Sequence, residues 1–190
     1  MHRTSRRVVR RAVVGGLVAA MLLSSTAACS SDDAEPTAEA TAAPSVDPTA
    51  SVVDGLISTG IQQLSEQATG EAKKSFQAAI AIDPANLLAN YNLGFIAQTA
   101  GDDAAAITFY TTALAADSSF APALYNLAIL TEASDLSAAV ELYRQVLVTK
   151  PDDAGTLLRL GDALQRLGQK VEGQEYIDRG NAALASPSPS

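Results

Sequence analysis

Cysteine and histidine, the two residue types most often used for nucleophilic and metal chemistry, each occur only once in this chain. Cys29 and His2 both lie near the N-terminus, in a segment where no folded site is expected. Residue counts therefore exclude an internal disulfide, a zinc site with thiolate or histidine ligands, and a nucleophile activated by histidine. The sequence predicts no catalytic residue, no metal site and no cofactor.

Carboxylates are the remaining candidates for catalysis. The pairs Asp102-Asp103 and Asp152-Asp153 lie at breaks between helical patterns, where an acidic side chain caps the next helix and meets the positive end of its dipole. Capping is favoured over catalysis, because no phosphate-binding loop or metal-ligand cluster accompanies these pairs. We predict that the protein is not an enzyme, and carboxylate-based catalysis is kept as the remote alternative.

Residues 1–28 have the layout of a secretory signal peptide. A basic stretch without acids precedes an apolar segment from Ala12 to Leu23, and small residues follow. Twelve helical residues rise about 18 Å, against roughly 30 Å of membrane hydrocarbon, so cleavage is favoured over an uncleaved N-terminal membrane anchor. Ser5-Arg6-Arg7 is compatible with either general or twin-arginine export.

The end of this segment, small residues 25–28 followed by Cys29, resembles the lipobox of bacterial lipoproteins. The resemblance implies that Cys29 is lipidated and becomes the new N-terminus. The protein would then be exported and anchored by lipid on the extracytoplasmic side of the cell membrane. The alternative is ordinary cleavage after Ala28, which would give a secreted protein.

Residues 29–52 are predicted to form a disordered linker that starts at the lipidated cysteine. Its composition is mainly Ser, Thr, Ala, Pro and acids, with too few large apolar residues to form a core. Residues 186–190 form a similar, shorter tail. Once the signal peptide is removed, 8 basic and 21 acidic residues remain, a net charge of −13. So acidic a surface repels phosphate backbones, and nucleic acid is not an expected partner.

A period of about 34 residues organises the rest of the chain. Gly60 and Gly94 are 34 residues apart, as are Ala72 and Ala106. Periods of this length are typical of repeat architectures. The spacing predicts four units, 53–86, 87–120, 121–153 and 154–185.

Each unit contains two helical patterns with one broad apolar face, and alternating strand patterns are missing, so the fold class is all-α. In the second unit this face consists of Ala106, Ile107, Phe109, Tyr110, Ala113 and Leu114. The third unit repeats it with Ala139, Val140, Leu142, Tyr143, Val146 and Leu147. Pro84 and Pro151 end the helices that precede them.

In the repeated pattern, a small residue follows leucine in the first helix, and alanine and an aromatic residue in the second helix are followed by proline. This pattern resembles the tetratricopeptide repeat. The resemblance implies a right-handed α-solenoid of about four helix-turn-helix units, eight helices in all, after the linker. Neighbouring units would share a core, and small residues would let paired helices approach closely. These structural positions are Gly60, Gly94, Ala128, Gly161, Ala72, Ala106, Ala139, Pro84 and Pro151.

The same resemblance implies that a partner peptide lies in a concave groove lined by the first helix of each unit. The positions that face this groove in the family form an apolar and aromatic trough here, and the asparagines among them could hydrogen-bond an extended peptide. The tyrosines could instead pack between helices. The groove residues are Leu88, Tyr91, Asn92, Phe95, Tyr125, Asn126, Ile129, Leu158 and Arg159, with Asp162 beside them.

These features together predict a membrane-tethered protein–protein interaction module, an adaptor or scaffold that binds a peptide or an envelope protein. The alternative is a structural subunit that self-associates, or assembles into an envelope complex, through a convex or end surface. Repeat arrays vary their surface residues on a constant scaffold, so the fold does not specify the partner or the oligomeric state.

Overall fold

A computed structural model of the chain describes residues 48–185. The predicted signal peptide, Cys29, most of the predicted linker and the tail 186–190 lie outside the described residues. Between residues 48 and 185 all regular structure is α-helical, which confirms the all-α prediction. The eight helices are α1 (Pro48–Ser65), α2 (Thr69–Ile82), α3 (Leu87–Thr99), α4 (Asp103–Ala116), α5 (Ala121–Thr131), α6 (Leu136–Thr149), α7 (Ala154–Arg166) and α8 (Lys170–Ala185).

Each helix packs mainly on the helices next to it in sequence. The pairs α1–α2, α3–α4, α5–α6 and α7–α8 form four units, and contacts of α2 with α3, α4 with α5 and α6 with α7 join them. Because each unit packs mainly against its neighbours, the domain is a helical solenoid, as the repeat spacing predicts. Within residues 48–185 no helix has both the length and the apolar composition needed to cross a membrane.

Polar side chains at the turns cap the helices that follow. The backbone N–H of Ala105 donates to Asp102 at 3.1 Å, that of Ala138 donates to Asp135 at 2.9 Å, and that of Thr156 donates to Asp153 at 2.8 Å. Each contact satisfies a donor that the first turn of a helix leaves free. Asp102 and Asp153, one from each acidic pair, therefore stabilise helices.

Helix α1 begins at Pro48, five residues before the predicted start of the array at residue 53. Residues 48–52, placed by the sequence in the linker, are thus the first turn of this helix. Proline is well suited to a first helical position, because its fixed φ fits the helix and its missing N–H would have no partner there. The apolar pattern begins only at Val52 and Val53, so it gives no signal for this extra turn.

A repeated contact between a small residue and an aromatic ring holds the helix pairs together. Phe76, Tyr110 and Tyr143 are fully buried on the second helices of units 1 to 3. A Cβ on Gly60 would lie 2.6 Å from the Phe76 ring, so the paired helices approach more closely than a larger residue would allow. In the last pair the two helix backbones themselves are in close contact, since a Cβ on Gly161 would lie 2.7 Å from a backbone oxygen of α8. The predicted small positions Ala72, Ala106, Ala128 and Ala139 are fully buried.

Candidate functional site

Exposed apolar side chains lie along the outward side of the first helices. We call this surface the odd-helix face; it carries Ile61 on α1, Leu88 and Phe95 on α3, Ile129 on α5, and Arg159 on α7. Ile61, Phe95 and Ile129 follow one another at intervals of 34 residues. Ile61 is 47% exposed and Phe95 43%, whereas Ile129 is half-buried against the core of units 3 and 4. Aligned exposed apolar residues mark a candidate interaction surface.

Ile61 was not among the predicted groove residues, although the repeat spacing that identifies Phe95 points equally to it. Leu88, a predicted groove residue, is 41% exposed. Ile61, Leu88 and Phe95 therefore make units 1 and 2 the apolar half of the odd-helix face.

The two predicted groove tyrosines pack between helices. The Tyr91 ring meets the edge of Phe120 at a centroid distance of 5.2 Å and lies 6.0 Å from Tyr110. The Tyr125 ring lies 5.9 Å from that of Tyr143. Burial raises the pKa of Tyr91 even though Asn126 hydrogen-bonds to it. Of the two roles that the sequence left open, interhelix packing is the one these contacts support.

The two predicted groove asparagines already have partners within the protein. The side-chain nitrogen of Asn92 donates to the carbonyl oxygen of Leu88 at 2.8 Å. That of Asn126 donates to the hydroxyl oxygen of Tyr110 at 3.1 Å, and Tyr110 in turn donates to Gln98 at 2.7 Å. These contacts hold the two amides against the scaffold, an arrangement that residue spacing alone does not indicate.

Leu158, the groove position predicted in unit 4, contacts the last helix of the array. A Cβ on Gly180 would lie 2.9 Å from Cγ of Leu158, so this side chain packs against α8 and is only half-exposed. The absence of a side chain at Gly180 makes room for it. The apolar row therefore does not continue into unit 4.

A charged cluster centred on Glu132 occupies the odd-helix face in units 3 and 4. Glu132, the C-cap of α5, accepts hydrogen bonds from Tyr143 at 2.5 Å, Arg166 at 3.0 Å and Arg159 at 3.4 Å. Its side chain is 15% exposed, whereas those of the two arginines are 46% and 47% exposed. Asp162 lies 3.5 Å from Arg166. The predicted apolar and aromatic trough, which included Arg159 with Asp162 beside it, thus has exposed apolar side chains in units 1 and 2 and a charged cluster in units 3 and 4.

The cluster favours the charged form of its arginine and the neutral form of its tyrosine. Burial opposes the charge on Arg159, but interactions with Tyr143, Tyr125 and Glu132 outweigh that effect and raise the pKa of the guanidinium. Burial, followed by the hydrogen bond to the Glu132 carboxylate, raises the pKa of Tyr143. The contacts of Glu132 with Arg159 and Arg166 could not be predicted from the sequence, because pairs 27 and 34 residues apart leave no local pattern.

A cleft of about 380 Å³ opens where α5 and α7 begin. Its walls combine Pro122 and Val146 with the rings of Tyr91 and Tyr125, and Lys150 and Asp153 supply opposite charges at the same place. Within residues 48–185 no group of three or more potential metal-ligating side chains occurs.

Comparison with known proteins agrees with this architecture. The tetratricopeptide repeat family model matches residues 87–120, which are the predicted second unit. The chain therefore contains a tetratricopeptide repeat within an all-helical solenoid. No curated protein matches the sequence significantly.

Three solved structures illustrate the similarity of fold. A crystal structure of MamA superimposes with a TM-score of 0.64 at 22% identity, covering 70% of this chain and 78% of that one. MamA 41-end from Desulfovibrio magneticus RS-1 gives 0.62 at 17% identity, covering 72% and 78%. A tetratricopeptide repeat protein from Parabacteroides merdae ATCC 43184 gives 0.60 at 25% identity and covers 68% of this chain, which spans 52% of that protein.

Proposed function

We propose that the protein is a lipid-anchored adaptor or scaffold that binds a peptide or an envelope protein on the odd-helix face. The observation that carries this proposal is the row of exposed apolar side chains, Ile61, Leu88 and Phe95, on a repeat scaffold. Tetratricopeptide folds support protein–protein interaction, and the residues that line this face supply contact area and charge rather than catalytic groups.

The exposure of Phe95 contrasts with the burial of its neighbours on α3. Leu93 is 2% exposed and Ile96 is 6% exposed, so core packing already uses the inner side of the helix. Full burial of a large apolar side chain is worth about 1.5–3 kcal/mol. The exposed part of Phe95 thus leaves on the order of 1 kcal/mol for a partner that covers it.

The charged half of the face would orient the partner. Arg159 and Arg166 are half-exposed although both contact Glu132, so each retains N–H donors that face solvent. Charged groups at the edge of an interface contribute more to register and specificity than to affinity. A partner would therefore place apolar groups over units 1 and 2 and hydrogen-bond acceptors near unit 4.

The test is partner retention by the full-length chain in envelope extract. The double variant Leu88→Ala with Phe95→Ala is expected to retain at least about tenfold less of its co-purifying protein, the equivalent of roughly 1.4 kcal/mol. Val148→Ala is the matched control, because Val148 is 81% exposed on α6, away from this face. Unchanged retention by a double variant with a normal thermal midpoint would refute binding on the odd-helix face.

The membrane tether rests on the signal-like segment and Cys29. Lipidation makes membrane binding depend on that one thiol, so Cys29→Ser is expected to move the protein into the soluble fraction. Ser30→Ala, one residue along, should leave it in the membrane fraction. If the Cys29→Ser variant stays in the membrane, an uncleaved N-terminal anchor holds the protein instead.

Self-association is the second candidate, and exposed apolar residues on the last helix favour it. Val171 is 77% exposed and Leu184 67% exposed on α8. Sedimentation of the purified chain over a hundredfold range of concentration distinguishes the two functions. A mass that doubles, and returns to that of a monomer in Val171→Asp, supports assembly through α8, whereas a constant monomer mass rules it out.

A further inference from the structure

The middle of the array contains no positively charged side chain. Between Lys74 and Arg144 the sequence has neither lysine nor arginine, and this stretch covers the whole of α3, α4 and α5. The charged residues within it are all acidic. They are Asp83, Asp102, Asp103, Asp117, Glu132, Asp135 and Glu141.

Most of these acids lie in the turns at the two ends of α3 and α5. Asp83 precedes α3, and Asp102 and Asp103 follow it; Asp117 precedes α5, and Asp135 follows it. Because α3 and α5 carry Leu88, Phe95 and the half-buried Ile129, carboxylates border this stretch of the odd-helix face at both of its edges.

Internal cations do not neutralise these edge acids. Among residues 48–185 the ion pairs of this stretch involve only Glu132, which contacts Arg159 and Arg166, and Glu141, which contacts Arg144. The capping acids Asp102 and Asp135 accept backbone N–H groups, and no lysine or arginine forms an ion pair with either among the described residues. Hydrogen bonds from Ser119 hold the pKa of Asp117 below its usual range, so this carboxylate is ionised at any physiological pH.

We propose that the segment bound across α3 and α5 is a positively charged amphipathic peptide. This inference rests on the proposed function and specifies the chemistry of its partner. The apolar side chains of the segment cover Leu88, Phe95 and Ile129, and its lysine or arginine side chains reach the carboxylates at both edges. A surface with one sign of charge attracts and orients partners of the opposite sign. A second copy of this chain, with the same acidic edges, is repelled from the same face.

The experiment selects peptides on the full-length protein in detergent. The display library contains segments about four helical turns long, with Leu, Ile, Val or Phe at every third or fourth position and an equal mixture of Lys, Glu, Gln and Ser elsewhere. Selection is repeated on the Phe95→Ala variant. Peptides enriched on the wild type but not on Phe95→Ala are expected to contain an excess of lysine over glutamate.

Matched charge variants test whether the edge acids cause this preference. At low salt, a selected cationic peptide should bind the triple variant Asp102→Asn, Asp103→Asn, Asp135→Asn about tenfold more weakly than it binds the wild type. Near 1 M salt this difference in affinity should largely vanish, because charges more than about 3 Å apart are then screened. Asparagine still caps helices, so the fold is preserved. The control Asp152→Asn, Glu175→Gln, Asp178→Asn removes the same charge from unit 4 and its boundary and should leave the affinity unchanged.

The results distinguish failure of the cationic partner from failure of peptide binding on the odd-helix face. If Phe95-dependent peptides are neutral or acidic on average, or if the two triple variants weaken binding equally, the cationic partner is wrong and peptide binding on this face stands. If no enriched peptide depends on Phe95, the proposed function fails and the inference fails with it.

Discussion

Gly94 lies so close to Tyr110 that a Cβ added to it would be 2.7 Å from the aromatic ring. Real Cβ atoms do not approach other atoms so closely, and Tyr110 is fully buried with its hydroxyl held by Gln98 and Asn126. The ring therefore cannot move aside without breaking these hydrogen bonds. The contact fixes the distance between α3 and α4.

Gly94→Ala is accordingly expected to lower the free energy of unfolding by about 1–3 kcal/mol through overpacking. Gly55→Ala is the matched control, because Gly55 is also helical but a Cβ there meets no atom within 4 Å. That change should stabilise the protein by about 0.5–1 kcal/mol, since alanine loses less backbone entropy than glycine. Urea unfolding measures both, and equal effects would contradict the close contact.

Asn90 connects α3 to the turn before it, and its loss should be costly. The side chain is 2% exposed, and its nitrogen donates to the carbonyl oxygens of Pro84 at 3.0 Å and Asn86 at 2.8 Å. Asn90→Ala should therefore cost about 1–3 kcal/mol, because it removes the side-chain donor from these carbonyls. Asn92→Ala, on the exposed side of the same helix, should change stability by less than about 0.5 kcal/mol. Similar unfolding midpoints for the two variants would refute this assignment.

Glu132 should contribute more to stability than any exposed carboxylate. Glu132→Gln removes the charge that two arginines share and leaves a single oxygen for three donors. We expect the free energy of unfolding to fall by about 1–2 kcal/mol, and no more, because solvent screens the half-exposed arginines. Glu141→Gln is the control, because the Glu141 side chain is 63% exposed and its pair with Arg144 lies within one helix. Thermal unfolding of the two variants at low salt provides the comparison. Indistinguishable midpoints would show that the Glu132 cluster does not stabilise the fold.

The protein should lose stability at alkaline pH through its buried tyrosines. Burial raises the pKa values of Tyr110 and Tyr143 above the ordinary value of about 10. The folded state then keeps a proton that the unfolded chain releases above pH 10. Stability is complete below that pH and falls as pH rises, by up to about 1.4 kcal/mol per pH unit for each tyrosine. Urea unfolding at pH 8 and pH 11 measures the loss, which should be smaller in Tyr143→Phe; an equal loss would exclude this tyrosine as a cause.

The repeat period predicted the helix pairs because packing in a solenoid is local. Gly60 and Phe76 are separated by the same number of residues as Gly94 and Tyr110, so one contact repeats with the sequence. The match of residues 87–120 to the tetratricopeptide model falls on a predicted unit boundary at both ends. The positions facing the core could be read from the sequence for the same reason.

The polar contacts of the odd-helix face could not be predicted in this way. Arg166 reaches Glu132 across 34 residues, and Asn126 turns inward to Tyr110. Which partner a long or amide side chain finds depends on its rotamer and on the spacing between helices, and neither leaves a periodic signal. The first turn of α1 was missed because a helix end that buries no apolar residue is indicated only by weak capping preferences.

Glu132 also links unit 3 to unit 4 with ion pairs that the other unit boundaries in the described part of the chain lack. Its carboxylate contacts Arg159 and Arg166, two turns apart on α7, whereas among residues 48–185 no ion pair joins unit 1 to unit 2 or unit 2 to unit 3. Repeat arrays open through the weakest boundary between neighbouring units. If the chain is tethered as proposed, a pulling force acts first on α1. Unfolding under force then starts at the end nearest the membrane, and α7 and α8 unfold last.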